Sequence, residues 1–204
     1  LVPSIIDNGS IELAYLGLNK QTEVKYIDTR NENTMLTNII DIVRDNPNIK
    51  ALIDTAGFFV NKSSEDIASE IIKLPTVNYV IYIDTKSKKR ILDKIGEVNT
   101  YDNKVYEDAF IYYSNKYIVG IDIKQPAVMT GLVTIDKSSK YSQTAQGIFR
   151  LRNMNFGHDI QFLLKSNLKD KIKNNKDILK LTQNNENYEK LTNMEIKKIE
   201  QNIN

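Results

Sequence analysis

The sequence predicts an α/β domain with a mostly parallel sheet, built in three layers and followed by a helical C-terminal appendage. Short apolar runs alternate with amphipathic stretches along the first 164 residues. The apolar runs are nearly uninterrupted, which is typical of strands buried on both faces. With 41% apolar and 26% charged residues among 204, the composition is that of a folded chain, and a chain of this length buries about 70% of its unfolded surface.

Six strands are predicted from apolar runs bounded by polar or turn-forming residues. The runs are Glu23 to Asp28, Lys50 to Thr55, Tyr79 to Asp84, Phe110 to Ser114, Ala127 to Ile135 and Asp159 to Leu164. Helical spacing between them predicts helices over Thr34 to Arg44, Glu65 to Leu74 and Lys140 to Arg152. The second helix has the clearest beginning, because Ser63 followed three residues later by Asp66 fits a capping box.

Two regions depart from this alternation. The polar stretch from Lys86 to Asp108 predicts a hairpin or a surface loop, with a short strand at Arg90 to Asp93. From Lys165 onward, apolar residues recur at helical spacing in a background rich in Lys and Asn. This pattern predicts two surface helices that pack on the domain or reach a partner. We therefore divide the chain into an α/β domain over 1–164 and a helical tail over 165–204.

The composition excludes several kinds of site. Without cysteine there is no disulfide, no thiolate nucleophile and no zinc–cysteine cluster, and one histidine cannot build a histidine-rich metal centre, so no metal site is predicted. The longest stretch without charge, Gln125 to Ile135, is far shorter than the roughly 20 apolar residues that span a bilayer, so no membrane partner is expected. A net charge of +2 is too small to predict nucleic-acid binding by itself. Because the chain begins at Leu1 rather than Met, we expect it to be a fragment or a processed piece of a longer protein.

The segment from Ala51 to Gly57 invites two interpretations that the rest of the chain does not support. Its Asp-Thr-Ala-Gly resembles the magnesium-proximal segment of GTPases, but the chain has no P-loop and has Lys88 where the guanine-reading Asp belongs. It also resembles the Asp-Thr-Gly of aspartic proteases, but Ala56 interrupts that triplet. We predict instead that Asp54 ends a strand and that Gly57 permits the turn after it.

Two polar segments stand out when they are considered together, 113–126 and 143–157. The first follows a strand and contains Ser114, Gly120 and Asp122; the second is a predicted helix with two glutamines and two arginines. Because loops that follow parallel strands gather at one edge of the sheet, we expect both segments at one crevice. There Ser114 would donate to a phosphate, Asp122 would accept from a ribose hydroxyl, and Arg150 would stabilise charge on a transferring γ-phosphoryl group.

The residues of these segments resemble known motifs. Ser114 through Asp122 is similar to motif V of superfamily 2 helicases, and Gln146 four residues before Arg150 is similar to motif VI. A closer resemblance is to large proteins with an upstream P-loop, some of them named as ubiquitin thioesterases. Their C-terminal blocks are similar to Ala51–Gly57, Gly120–Lys124 and Thr144–Arg152 followed by Gly157. The resemblance covers roughly residues 50 to 164, and its last block is the most specific.

This resemblance implies that 1–164 is the second, RecA-like lobe of a helicase-type ATPase. ATP with magnesium would lie between this lobe and an upstream P-loop lobe that holds the metal, with nucleic acid or protein as further partners, and the chain alone would hydrolyse nothing. The implied roles are catalytic for Arg150 and Arg152, nucleotide binding for Gly120, Asp122 and Gln146, and nucleic-acid binding for Ser114 and Thr130. Thr130 beside Gly131 alternatively marks a kink in a strand.

The spacing of the two arginines departs from that of helicases, which place the second arginine three residues after the first; that position is Asn153 here. On a continuous helix, Arg150 shares a polar arc with Gln143 and Gln146, whereas Arg152 points to the apolar side. We therefore expect Arg152 to lie beyond the helix or to pair with a carboxylate, and we assign the arginine-finger role first to Arg150. The alternative is that the pair ties the last helix to the sheet through an ion pair.

Two further expectations complete the sequence-based picture. His158, which opens a predicted buried strand, is expected to be a hydrogen-bonded structural residue. The thioesterase label finds no support, since this segment has no cysteine to act as the nucleophile. The competing functional hypothesis is a binding or scaffold module of a large multidomain protein, with the tail from Lys165 onward as its interaction surface.

Overall fold

The computed structural model describes residues 24–203 except 29 and 155, and the first 23 residues of the predicted domain lie outside that range. The strands are β1 (Lys25–Ile27), β2 (Ile49–Ile53), β3 (Tyr79–Ile83), β4 (Lys89–Asp93), β5 (Val98–Thr100), β6 (Ala109–Tyr113), β7 (Met129–Ile135) and β8 (His158–Lys165). The helices are α1 (Glu32–Asp45), α2 (Ser64–Ile71), α3 (Tyr141–Ile148) and α4 (Asn175–Ile203), and short 3-10 turns cover Asn115–Tyr117 and Ser166–Leu168.

The eight strands form one sheet in the order β1-β8-β7-β2-β6-β3-β4-β5. The first six strands of this order, β1 through β3, are all parallel to their neighbours. At the far edge, β4 pairs antiparallel with both β3 and β5. The predicted α/β class with a mostly parallel sheet is therefore confirmed. The hairpin predicted within 86–108 is also present, as β4 and β5.

Helices cover both faces of the sheet and make it the middle of three layers. One apolar cluster joins α1 and α2 to the side chains on one face of the central strands, including Leu52 and Tyr112. The other joins α3 and the first turns of α4 to the opposite face, including Ile53 and Tyr113. Because neighbouring residues of a strand point to opposite faces, the central strands are apolar at nearly every position.

Two helix predictions need correction. The tail forms one helix of 29 residues rather than two, and only its first part is packed, through Ile178, Leu179 and Thr182. Helix α3 ends at Ile148, so the predicted extension to Arg152 is wrong. Among the described residues, no helix is long and apolar enough to cross a bilayer.

Candidate functional site

The two polar segments singled out in the sequence meet over the α3/α4 face of the sheet, beside Tyr113 at the end of β6. The loop that follows β6 carries Gly120, Ile121 and Asp122, and the chain that follows α3 carries Arg150 and Arg152. Arg150 Nη1 donates to the Ile121 carbonyl at 2.7 Å, and Arg152 Nε lies 3.8 Å from Asp122 Oδ1. We call this group of residues the arginine site.

Gln125 holds the arginine site together, although the sequence alone indicates no role for it. Its Nε2 donates to the Tyr113 hydroxyl at 2.8 Å and to the Arg150 carbonyl at 2.7 Å. Its Oε1 accepts from the Arg152 backbone N–H at 3.3 Å. Burial raises the pKa of Tyr113 to about 12, so its phenol stays protonated at neutral pH. One amide side chain thereby links the end of β6 to the chain after α3.

Arg150 is buried, with 6% of its surface exposed. Its Nε is fully buried and has no hydrogen-bond partner. Burial and the neighbouring Arg152 charge lower the pKa of Arg150 from its usual value. The expectation that Arg150 lies on a polar arc is therefore wrong, because the helix ends two residues before it and helical spacing no longer sets its direction.

Arg152 is the more accessible of the two arginines, with 38% of its side chain exposed. It lies beyond the end of α3 and beside the Asp122 carboxylate, so both parts of the prediction for Arg152 hold. Its guanidinium also lies 4.8 Å from the centre of the Phe149 ring, within cation–π range. Of the two cations, Arg152 is the one that faces solvent.

Helix α3 reaches this position because residue 147 is glycine. A Cβ atom built there would lie 2.0 Å from Thr55 Cγ2, far inside van der Waals contact. The Thr55 side chain has no freedom to turn away, since it is buried and its hydroxyl donates to the Thr134 carbonyl at 2.5 Å. Gly147 thus permits the close approach of α3 to the end of β2.

The tail helix α4 caps the other end of α3. The N-cap residue of α3, Lys140, supplies no capping side chain. Instead Glu186 Oε2 accepts from the Ser142 backbone N–H at 3.2 Å and from the Ser142 hydroxyl at 3.1 Å. Glu189 pairs with Lys140 Nζ at 2.9 Å. A carboxylate at this end complements the positive end of the helix dipole, so α4 stabilises the helix that leads to the arginine site.

Asp54 is structural, as predicted. Its carboxylate is fully buried and accepts from the backbone N–H groups of Phe58 (2.8 Å) and Phe59 (3.0 Å) and from the Thr134 hydroxyl (2.9 Å). Burial raises its pKa more than these hydrogen bonds lower it. The turn that follows uses Gly57 at φ +72°, a conformation that glycine adopts without strain.

His158 is also structural, as expected. Its side chain is buried, its Nδ1 accepts from the Asn153 backbone N–H at 3.2 Å, and its Nε2 lies 2.6 Å from the Pro126 carbonyl. Because Nδ1 accepts, Nε2 carries the proton and donates to Pro126. Both ring nitrogens are therefore occupied.

The other predicted site residues lie apart from one another. Gln146 is half-buried on α3, whereas Ser114 follows β6 and lines a cavity at the carboxyl edge. Thr130 lies at the amino end of β7, where it pairs with Ile49 at the start of β2. It is thus at the opposite edge of the sheet from Ser114. The register of β2 against β7 shifts beside Thr130, but the extra residue is Lys50 in β2, and β7 pairs with β8 without interruption, so the kink in the strand of Thr130 and Gly131 stays a prediction.

Within the part of the chain that the structure describes, no three histidine, aspartate or glutamate side chains are grouped as metal ligands. Comparisons with protein-family models, curated proteins and solved structures gave no match. The geometry of the chain itself is therefore the basis for any functional assignment.

Proposed function

We propose that this chain is the second lobe of a helicase-like ATPase, which completes an ATP site when an upstream P-loop lobe closes on it and which is inactive alone. The observation that carries this proposal is the meeting of the 120–122 loop with Arg150 and Arg152. A solvent-facing guanidinium, that of Arg152, beside a glycine-containing loop held by Arg150 is a suitable group for binding a phosphate.

In this proposal the two arginines have different tasks. Arg152 faces solvent, and its Nε lies 3.8 Å from Asp122 Oδ1, which is long for a charge-assisted hydrogen bond. A γ-phosphate can therefore replace Asp122 as the partner of Arg152. Arg150 is a positioning residue, because its guanidinium holds the 120–122 loop through the Ile121 carbonyl. This reverses the sequence-based preference for Arg150 as the arginine finger.

Two of the remaining predicted nucleotide contacts, Gly120 and Asp122, fit around Arg152, whereas Gln146 on α3 is left out. Gly120 has φ +80°, and a Cβ atom built there would meet no atom within 4 Å, so the backbone at this position is open to a ligand. Asp122 would accept from a ribose hydroxyl once Arg152 has turned to the phosphate. The described residues offer cations for the triphosphate but no group of metal ligands, so magnesium would be held by the P-loop lobe. Electrostatic stabilisation of the transferring phosphoryl group is the chemistry that Arg152 would supply.

The test is ATP hydrolysis by this chain alone and by a protein that joins it to the segment encoded upstream. We expect no activity alone and activity in the longer protein. There Arg152→Ala should lower kcat by about 10³, and Arg152→Lys should not restore it, because lysine lacks the planar fork of donors. Arg44→Ala, which removes an exposed arginine paired with Asp41 on α1, is the matched control.

Two results would overturn the proposal. One is hydrolysis by this chain alone that depends on Arg150 or Arg152. The other is normal turnover of the Arg152→Ala variant in the longer protein.

A specific observation also favours the second candidate, a binding or scaffold module. The second half of α4 exposes large apolar side chains, among them Tyr188, Leu191 and Ile199. An upstream reading frame without a Gly-x-Gly-Lys-Ser or Gly-x-Gly-Lys-Thr motif would favour this module over the ATPase. In the ATPase proposal, Ser114 remains the candidate contact to nucleic acid, whereas Thr130 at the opposite edge of the sheet is left out.

A further inference from the structure

A cavity of about 310 Å³ lies at the carboxyl ends of β3 and β6, beside the start of α2. It is on the α1/α2 face of the sheet, because its wall includes Tyr112, whereas the neighbouring Tyr113 points to the arginine site on the other face. The cavity is therefore separate from the arginine site. We call it the lysine cavity, after Lys62 and Lys116 in its wall.

The most buried polar group of this wall has no partner. Tyr112 is 2% exposed, and its hydroxyl forms no hydrogen bond with any described residue. Arg150 Nε is fully buried, whereas the Tyr112 hydroxyl is not among the fully buried polar atoms without a partner. The small exposed part of Tyr112 therefore includes this oxygen, and Tyr112 lines the cavity. Burial raises the pKa of this phenol, so it stays protonated and can donate a hydrogen bond.

The residues that line the cavity include two lysines and one carboxylate, and the carboxylates of Asp54 and Glu32 behind the wall also act on Tyr112 and raise its pKa. Within the described residues, neither Lys62 nor Lys116 forms an ion pair. Asp84 is the acidic residue of the wall, and its charge is already matched: it accepts from Arg90 Nε at 2.9 Å and from the backbone N–H groups of Lys86 and Lys88. Arg90 is also the main cause of the lowered pKa of Asp84. Two cations are left for a ligand.

The wall is held in place from both sides. Asn115 Nδ2 donates to the carbonyls of Asp54 (3.2 Å) and Thr55 (3.1 Å), which fixes the turn after β6. On the other side, the hydroxyls of Ser87 and Tyr117 are 2.9 Å apart and hydrogen-bonded. The groups that remain for a ligand are therefore donors on a framework that is already formed, which lowers the cost of binding.

We propose that the lysine cavity binds the phosphate group of a small phosphorylated organic molecule. Lys62 and Lys116 would neutralise the phosphate, and the Tyr112 hydroxyl would donate to one of its oxygens. Ser64 and Ser114 add hydroxyl groups to the same wall, and the ring of Phe59 offers an apolar surface to the carbon skeleton. This inference does not depend on the ATPase proposal, because Lys62, Lys116 and Tyr112 have no role there; Ser114 is the one residue that both proposals use.

The test is a titration of the full chain, labelled with ¹⁵N, at constant ionic strength. The probes are glycerol 3-phosphate, inorganic phosphate, sulfate and glycerol. We expect saturable shifts of the amide signals of Ser64, Ser114 and Lys116 with the two phosphates, and none with glycerol. Tyr112→Phe should weaken binding about tenfold, and Lys116→Ala should weaken it by a similar factor.

Matched variants separate the cavity from general effects. Tyr82→Phe changes another buried tyrosine on the same face, and Lys88→Ala changes an exposed lysine outside the cavity wall, so neither should alter affinity. Tyr112→Phe should unfold at the same temperature as the unaltered chain, because its hydroxyl is unbonded without ligand. Shifts that do not saturate, equal binding of sulfate and phosphate, or unchanged affinity of Tyr112→Phe would overturn the inference. So would binding of a single-stranded oligonucleotide without binding of either small phosphate.

Discussion

Tyr112 and Tyr113 are neighbours in β6, yet they lead to two differently built surfaces. Tyr113 accepts from Gln125 and belongs to the arginine site, where Arg150 bonds to the Ile121 carbonyl and Arg152 lies beside Asp122. Tyr112 leads to the lysine cavity, where its own hydroxyl, Lys62 and Lys116 have no hydrogen-bonding or anionic partner among the described residues. The two faces of one sheet, beside the end of β6, thus carry one paired and one unpaired set of donors.

The difference indicates how each surface would receive a ligand. At the arginine site the chain supplies its own acceptors, so an anion has to displace Asp122 from Arg152. The binding free energy is then only the difference between the anion's interaction with Arg152 and that of Asp122 with Arg152. At the lysine cavity an anion supplies acceptors that are missing, so binding satisfies groups that were left open. A site of the first kind is suited to switching between two partners, and a site of the second kind to simple binding.

The largest loss of stability is expected from Gly147→Ala, which should disturb the packing that leads to the arginine site. The new methyl group would overlap Thr55 Cγ2, which should lower the free energy of unfolding by about 1–3 kcal/mol, measured by urea denaturation. Amide signals should shift at the arginine site, and in the lysine cavity only at Asn115, whose side chain donates to the Thr55 carbonyl. Thr55→Ser removes the overlapping methyl and keeps the hydroxyl, so the double variant should recover much of the loss. A double variant as unstable as Gly147→Ala would contradict this account of the packing.

A smaller effect is expected from Glu186→Gln. The amide can still accept from Ser142 but loses the charge at the start of α3, so the free energy of unfolding should fall by about 0.5–1 kcal/mol, and less at high salt. Glu195→Gln, in the exposed part of α4, is the matched control and should have little effect. Equal losses in the two variants would mean that the cap does not stabilise α3.

The smallest change in stability is expected from Arg150→Met. Methionine fills a similar volume and removes a costly buried charge with an unpaired Nε, but it also gives up the hydrogen bond to the Ile121 carbonyl, so the gain and the loss nearly cancel. The free energy of unfolding should therefore change by less than about 0.5 kcal/mol or increase, as checked by urea denaturation. A loss of several times that size would support the alternative in which the arginine pair serves as a structural tie.

Much of the architecture could be predicted because it depends on local patterns. The observed β2, β3, β6, β7 and β8 fall within about two residues of the predicted apolar runs, since these runs are buried on both faces. The capping box at Ser63 is observed, with Ser63 Oγ accepting from the Asp66 N–H at 3.0 Å. The predicted start of α1 is two residues late, because Asn31 caps the helix by accepting from the Thr34 N–H.

The tail was harder to predict. The polar stretch between Leu181 and Tyr188 resembles the end of a helix when only apolar residues are counted. In the structure, Asn185 donates to the carbonyls of Lys137 (3.0 Å) and Ser139 (2.8 Å), and Glu186 caps α3. These polar residues pack against the domain, so the helix continues through them. Their role depends on the residues of the domain that they contact, and helical spacing in the sequence does not identify those residues.

Local patterns in the sequence were enough to predict the α/β class, the order of the main strands, and the segments in which polar side chains are concentrated. The burial of Arg150, the link that Gln125 forms between the two segments, and the unpaired donors of the cavity beside Tyr112 became visible only in the folded chain. Interactions of different range explain this division. Periodicity and capping act over a few residues, whereas Arg150 meets Ile121 and Gln125 meets Tyr113 only after folding has brought distant segments together on one face of the sheet.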